Sequence, residues 1–176
     1  MKRKRFVFLA ALALSAAAAA TVSAAALPEP GGPAASVSEP ASGAASVSEP
    51  ASGAAYEQAV ARLVNTVRTG RGLAPLRIRA DLCRYARVKS QDMRSGGYFS
   101  HTSPTYGSPF EMMRAFGVSY SHAGENIAFG HTTPESVVSA WMNSESHRVN
   151  ILSAMYTDLG VGYVAEGGYW TQWFVG

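Results

Sequence analysis

The sequence predicts an α+β domain, with amphipathic helices packed on a small antiparallel sheet. Three observations carry this reading. Apolar residues recur at helical spacing twice, as Val60, Leu63, Val64 and Val67, and as Leu82, Tyr85, Ala86 and Met93. Two strand-like runs, 159–165 and 169–175, flank the turn Glu166-Gly167-Gly168 and read as a hairpin. Composition changes sharply near Ala55, from Ala, Ser, Pro and Gly to a mixture able to build a core.

Ahead of that change the chain reads as a leader and a spacer. Lys2, Arg3, Lys4 and Arg5 form a positive start, an apolar stretch follows from Phe6 to Leu14, and small residues lead to Val22-Ser23-Ala24 and Ala24-Ala25-Ala26. This is the pattern of a cleavable signal peptide over 1–26, cut after Ala24 or Ala26. The stretch is long enough to span a bilayer, but much of it is weakly apolar alanine and it ends in a cleavage site, so cleavage is favoured over an uncleaved anchor and no stable membrane span remains afterwards. Residues 27–54 contain the ten-residue unit ASVSEPASGA twice and no aromatic residue. They read as a disordered linker, either a stand-off spacer or neutral repeat expansion. The domain is then expected over 55–176, long enough for one core.

Charge gives no support to a nucleic-acid partner, and none is expected. The leader carries four cations and no acid, so its loss takes the formal charge from +3 to −1. Nine Lys and Arg remain in 55–94, either a solvated helix surface or a face for anionic envelope polymers. The single cysteine, Cys83, excludes an internal disulfide; its helical setting suits a small buried residue better than a reactive or intermolecular thiol.

Within the domain, helices are expected over 56–69 and 81–95, the second stopped by Gly96-Gly97. Ser108-Pro109-Phe110-Glu111 supplies an N-cap, a first-turn proline and an acid for a short helix ending near Gly117; Thr133-Pro134-Glu135 repeats that logic. Residues 118–130 read as a loop entering a short strand through Ile127 and Phe129, and Ser144 as the cap of a turn whose Val149, Leu152 and Met155 face inward. Gly160 and Gly162 point to close backbone approach on the first hairpin strand. Trp141, Trp170 and Trp173 read as core, and His122 and His131 as surface residues.

No HExxH, phosphate-cradling glycine loop or GxSxG elbow is present. What could carry chemistry is a scatter of His101, Glu125, Glu145 and His147 in loops and at helix starts. Histidine can act as a base or a ligand near neutral pH, and two His with one or two Glu could hold Zn²⁺ if they converge.

The ordered pieces LVNTVR (63–68), GLAPL (72–76), SQDM (90–93), YFSHTSPTYGSPF (98–110), AGENIA (123–128), SAWMNSESHRVNIL (139–152), LGVGY (159–163) and YWTQWF (169–174) resemble the CAP superfamily, in its secreted bacterial SCP-like branch. The resemblance implies a three-layer α-β-α sandwich with a central antiparallel sheet. Better-known members carry two His and two Glu in a central cleft that can bind a divalent metal. His101 and Glu125 match the first of each pair. Ser144 occupies the second Glu position, with Glu145 one place late, and Tyr169 occupies the second His position. His147, in the branch's HRxNIL motif, is the candidate substitute. His101, Glu125 and His147 are therefore the candidate catalytic and metal-ligating residues, with Glu145, Asn126 and Tyr169 as secondary binding candidates.

Each has a plainer reading. His101 could bond backbone in a tight loop, Glu125 could pin a loop, and Glu145 suits the helix dipole. With half the tetrad missing, no cofactor is required, and an exported module binding an envelope polymer, a lipid or a protein is favoured over a metal-assisted hydrolase or a structural envelope or matrix protein. Catalysis is left open but disfavoured.

Overall fold

The structure is a computed structural model that describes residues 53–176. The expected signal peptide and nearly all of the linker lie outside the described residues. In chain order the elements are α1 (Gly53–Thr69), β1 (Arg77–Ile78), α2 (Ala80–Gly96), α3 (Pro109–Ala115), β2 (Ala123–Ala128), α4 (Pro134–Asn143), α5 (Glu145–Ile151), β3 (Asp158–Val164) and β4 (Tyr169–Val175). Helix α1 starts two residues ahead of the expected domain boundary. The caps explain α3 and α4: the Ser108 and Glu111 side chains form a reciprocal capping box, and the Thr133 hydroxyl accepts from the Ser136 N–H. Ser144 stands at the start of α5 but makes no side-chain cap bond; its hydroxyl meets that of Ser146 at 3.2 Å instead.

The sheet runs β1-β3-β4-β2, with β1 parallel to β3 and the other pairs antiparallel. Alternation along β4 divides the core between two faces. Trp170 and Phe174 join Val60, Val64, Val137, Trp141 and Ile151 from α1, α4 and α5, while Trp173 and Val175 join Leu82, Ala86, Met112 and Met113 from α2 and α3. This gives the expected α-β-α sandwich, and all three tryptophans are core.

Three local expectations are corrected. Residues 123–128 are strand throughout, and Phe129 lies beyond its end with its side chain exposed. Val149 and Met155 face solvent, and the inward residue of α5 is Ile151. The basic segment is not uniformly a solvated surface. Arg68 is fully buried and donates to the carbonyls of Ala74, Ile151 and Ser153; Lys89 is fully buried; and Arg87 pairs with the buried Glu57. Cys83 is half-buried, burial pushes its thiol upward, and its Sγ accepts the Val161 N–H at 3.4 Å.

The glycines of β3 set the distance to α2. A Cβ at Gly160 would lie 2.4 Å from the Leu82 carbonyl carbon, and one at Gly162 would lie 2.1 Å from the Arg87 nitrogen. Both obstacles are helix backbone and cannot rotate away. Gly162→Ala should therefore destabilise the fold by about 1–3 kcal/mol or more, read as a lowered midpoint in urea unfolding. An unchanged midpoint would show that α2 is free to lift from the sheet.

Candidate functional site

The site is built on β2, an edge strand. Glu125 pairs with Trp173 in the β2–β4 register, so both side chains point to the α2–α3 face; Asn126 pairs with Gln172 and points to the α5 face. Two residues expected in a loop thus lie on opposite sides of a sheet.

On the first face the buried Glu125 carboxylate uses both oxygens. Oε1 meets His101 Nδ1 at 2.7 Å, and Oε2 accepts the Trp173 indole N–H at 2.8 Å. An ionised carboxylate only accepts, so Nδ1 carries the hydrogen and a neutral His101 ring leaves its lone pair on Nε2. Nε2 has no hydrogen-bond partner among the described residues, and the ring is 52% exposed while the Glu125 side chain is 2% exposed. A buried acid thus holds and orients a surface imidazole.

The loop bearing His101 is held from below. Gly97 ends α2 in the left-handed conformation, φ 63°, which turns the chain back over the helix. Lys89 Nζ then donates to the carbonyls of Ser100 (2.9 Å) and His101 (3.0 Å) and to the Tyr98 hydroxyl (3.2 Å). Burial pulls the Lys89 ammonium below its ordinary value, and the charges of Glu125 and Asp92 partly restore it. Tyr98 is pushed up to about 12 by burial and by its bond to Asp92. His101 does not simply bond backbone; its own carbonyl is the anchor and its ring is left for Glu125.

On the second face α5 is tied to the strand. Asn126 Nδ2 donates to the His147 carbonyl and to Gln172 Oε1, both at 3.1 Å, and its Oδ1 accepts from Asn150 at 2.9 Å. Asn126 is fully buried and holds the framework rather than facing a ligand. His147 lies on this side. Burial, then the nearby His101, push its imidazole below the ordinary 6.5. Its Nδ1 is buried without a partner. Glu145 is exposed at the start of α5 with no ion pair among the described residues, and the Tyr169 ring packs tilted against Phe129 with ring centres 4.7 Å apart.

A metal site on His101, Glu125 and His147 depends on their convergence. Among the described residues no three His, Cys, Asp or Glu side chains are grouped to hold an ion. Glu125 is committed to His101 and Trp173, and His147 comes from the other layer. Sequence reasoning missed Lys89 and Trp173, whose roles emerge only once strand register and helix–sheet packing are known. It also missed a groove of about 310 Å³ lined by Phe99, Ile127, Phe129, Ala140, Ser144 and His147 among others.

Known proteins share this architecture. Residues 61–176 match the cysteine-rich secretory protein family, CAP, and the chain belongs to that family. It is 59% identical over 122 residues to the uncharacterized protein YkwD of Bacillus subtilis, covering 69% of this chain and 48% of that one. It resembles the crystal structure of an extracellular SCP-domain protein from Bacillus anthracis, with TM-score 0.65 and 32% identity over 73% of this chain and 45% of that chain. An outer surface protein of Borrelia burgdorferi shares the fold, with TM-score 0.62 and 19% identity over 67% of this chain and 90% of that one. The chain spans about half the length of YkwD and of the Bacillus anthracis protein. Among the described residues no helix is long and apolar enough to cross a membrane.

Two outcomes follow. Trp173→Phe leaves Glu125 Oε2 buried without its donor and should cost about 1–3 kcal/mol, measured by urea unfolding. His147, depressed in the folded state, contributes stability that is full above its unfolded value of 6.5 and is lost as pH falls through the folded value. Melting temperature should fall in that window for the wild type and fall less for His147→Phe.

Proposed function

We propose that this protein is an exported, extracellular or envelope-associated binding module, whose contact surface centres on His101 at the β2 edge. The observation that supports it best is the complete engagement of Glu125: both carboxylate oxygens are used to fix one half-exposed imidazole. That arrangement commits a buried charge to presenting a donor or acceptor at the surface, as binding sites require. The leader-like N-terminus supports export, and the Bacillus anthracis relative is described as extracellular.

The same pair has the form of a general base with an orienting carboxylate, which supports hydrolysis as a second reading. One screen separates them. The purified protein is incubated with peptidoglycan, lipid vesicles and casein, and both retention and cleavage are measured. Binding without cleavage, weakened about tenfold by His101→Ala, which corresponds to one charge-assisted contact, is the expected result. Cleavage that disappears in His101→Ala would overturn it in favour of a hydrolase. Sequencing of protein recovered from the medium should begin at Ala25 or Leu27; an intact N-terminus on membranes would contradict export as a cleaved protein.

A further inference from the structure

We infer that the groove between α4, α5 and the end of β2 is a subsite for a neutral N-acetylated amino sugar. This rests on the reading of the domain as a binding module and names the chemistry that one part of it recognises.

Phe99 and Phe129 are the starting point. Both are large apolar side chains, 52% and 53% exposed, with ring centres 6.2 Å apart. They come from different elements, the 98–101 loop and the end of β2, and both border the groove. Phe129 is backed by Tyr169, so its position is held by a second ring. Two supported aromatic faces at a groove mouth suit a flat ligand with an apolar face, such as a pyranose, whose C–H groups lie against the negative ring face.

Charge and size narrow the class. The lining contains no Lys, Arg, Asp or Glu and its only ionisable side chains are His131 and His147, so it offers no fixed charge and favours a neutral ligand. At about 310 Å³ the groove is at the small end for ligand sites and suits one ring with a short substituent better than an acyl chain. Ala128 and Ala140 line it on the α4 side with small apolar side chains, which leaves room for a methyl group. Polar atoms line it at Ser144 and His147. His147 Nε2 makes no hydrogen bond among the described residues, and no partner at Nδ1 fixes the tautomer. The ring can therefore donate to an acetamido carbonyl or accept from its N–H. An acetamido group combines a methyl for the alanine side with a polar amide for Ser144 and His147.

The test uses the full-length protein and two tetrasaccharide probes, chitotetraose and cellotetraose, which share a β-1,4 pyranose backbone and differ at the 2-substituent. Binding is read by calorimetry and by NMR shifts. Chitotetraose should bind at least about tenfold more tightly than cellotetraose, and Phe129→Ala should weaken it by a similar factor, the scale of one lost stacking contact with its buried area. Ala140→Leu, at a half-buried position, fills the room left for the methyl and should abolish binding with the melting temperature unchanged. Equal binding of the two sugars, or binding that survives Ala140→Leu, overturns the subsite. Shifts at Phe99 and Phe129 with vesicles or a peptide but with neither sugar also overturn it. If intact peptidoglycan is retained while chitotetraose is not, this inference fails and the binding-module reading stands; if nothing is retained, both fail.

Discussion

The close approach of α2 to β3 is the constraint on which the rest of the structure depends. Gly160 and Gly162 remove the side chains that would keep the helix at an ordinary distance. Ser90 then reaches the Gly162 carbonyl at 3.1 Å and the Thr171 hydroxyl at 2.9 Å, fastening α2 to two strands at once. At this depth the neighbouring Lys89 is buried and its ammonium has only backbone and tyrosine oxygens to meet. Burying an ammonium is unfavourable unless it is well paired. Lys89 is satisfied by the oxygens of Tyr98, Ser100 and His101, and in being satisfied it fixes where that loop lies.

The electrostatics of the site follow from that placement. Glu125 is buried on the face that α2 covers, and the loop held by Lys89 brings His101 to it. The His101 Nδ1–H and the Trp173 indole N–H give the buried carboxylate a donor on each oxygen, and the Lys89 charge stands nearby. The strand's alternation sends Asn126 and α5 to the other layer. His147, on the α5 side, lies close enough to His101 for a charge there to disfavour its own protonation.

The family, the sandwich and nearly every helix were legible in the sequence because they depend on local signals. Helical spacing marked α1 and α2, the Ser108 and Thr133 caps marked α3 and α4, and the glycine turn marked the hairpin. Gly160 and Gly162 were legible for a related reason, since glycine weakens a strand and is found inside one mainly where another backbone comes close. Residues 123–126 resemble loop in sequence because Gly124, Glu125 and Asn126 all have poor strand propensity; pairing with β4 overrides it. Arg68 and Lys89 were placed with the surface cations because a buried cation differs from an exposed one only in tertiary partners. His101 and Glu125 were identifiable as candidates from their motifs. The bond between them, and the placing of His147 on the α5 side of the strand, depend on strand register and on which layer each element joins.

At the centre of the site, Glu125 fixes the His101 ring with its hydrogen on Nδ1 and turns Nε2 outward. Nitrogen-15 NMR of the imidazole, recorded at a pH where the ring is neutral, reads this tautomer directly. A protonated Nδ1 and an unprotonated Nε2 are predicted for His101. A ring protonated mainly on Nε2 would contradict this geometry, because Nδ1 could not then donate to the carboxylate.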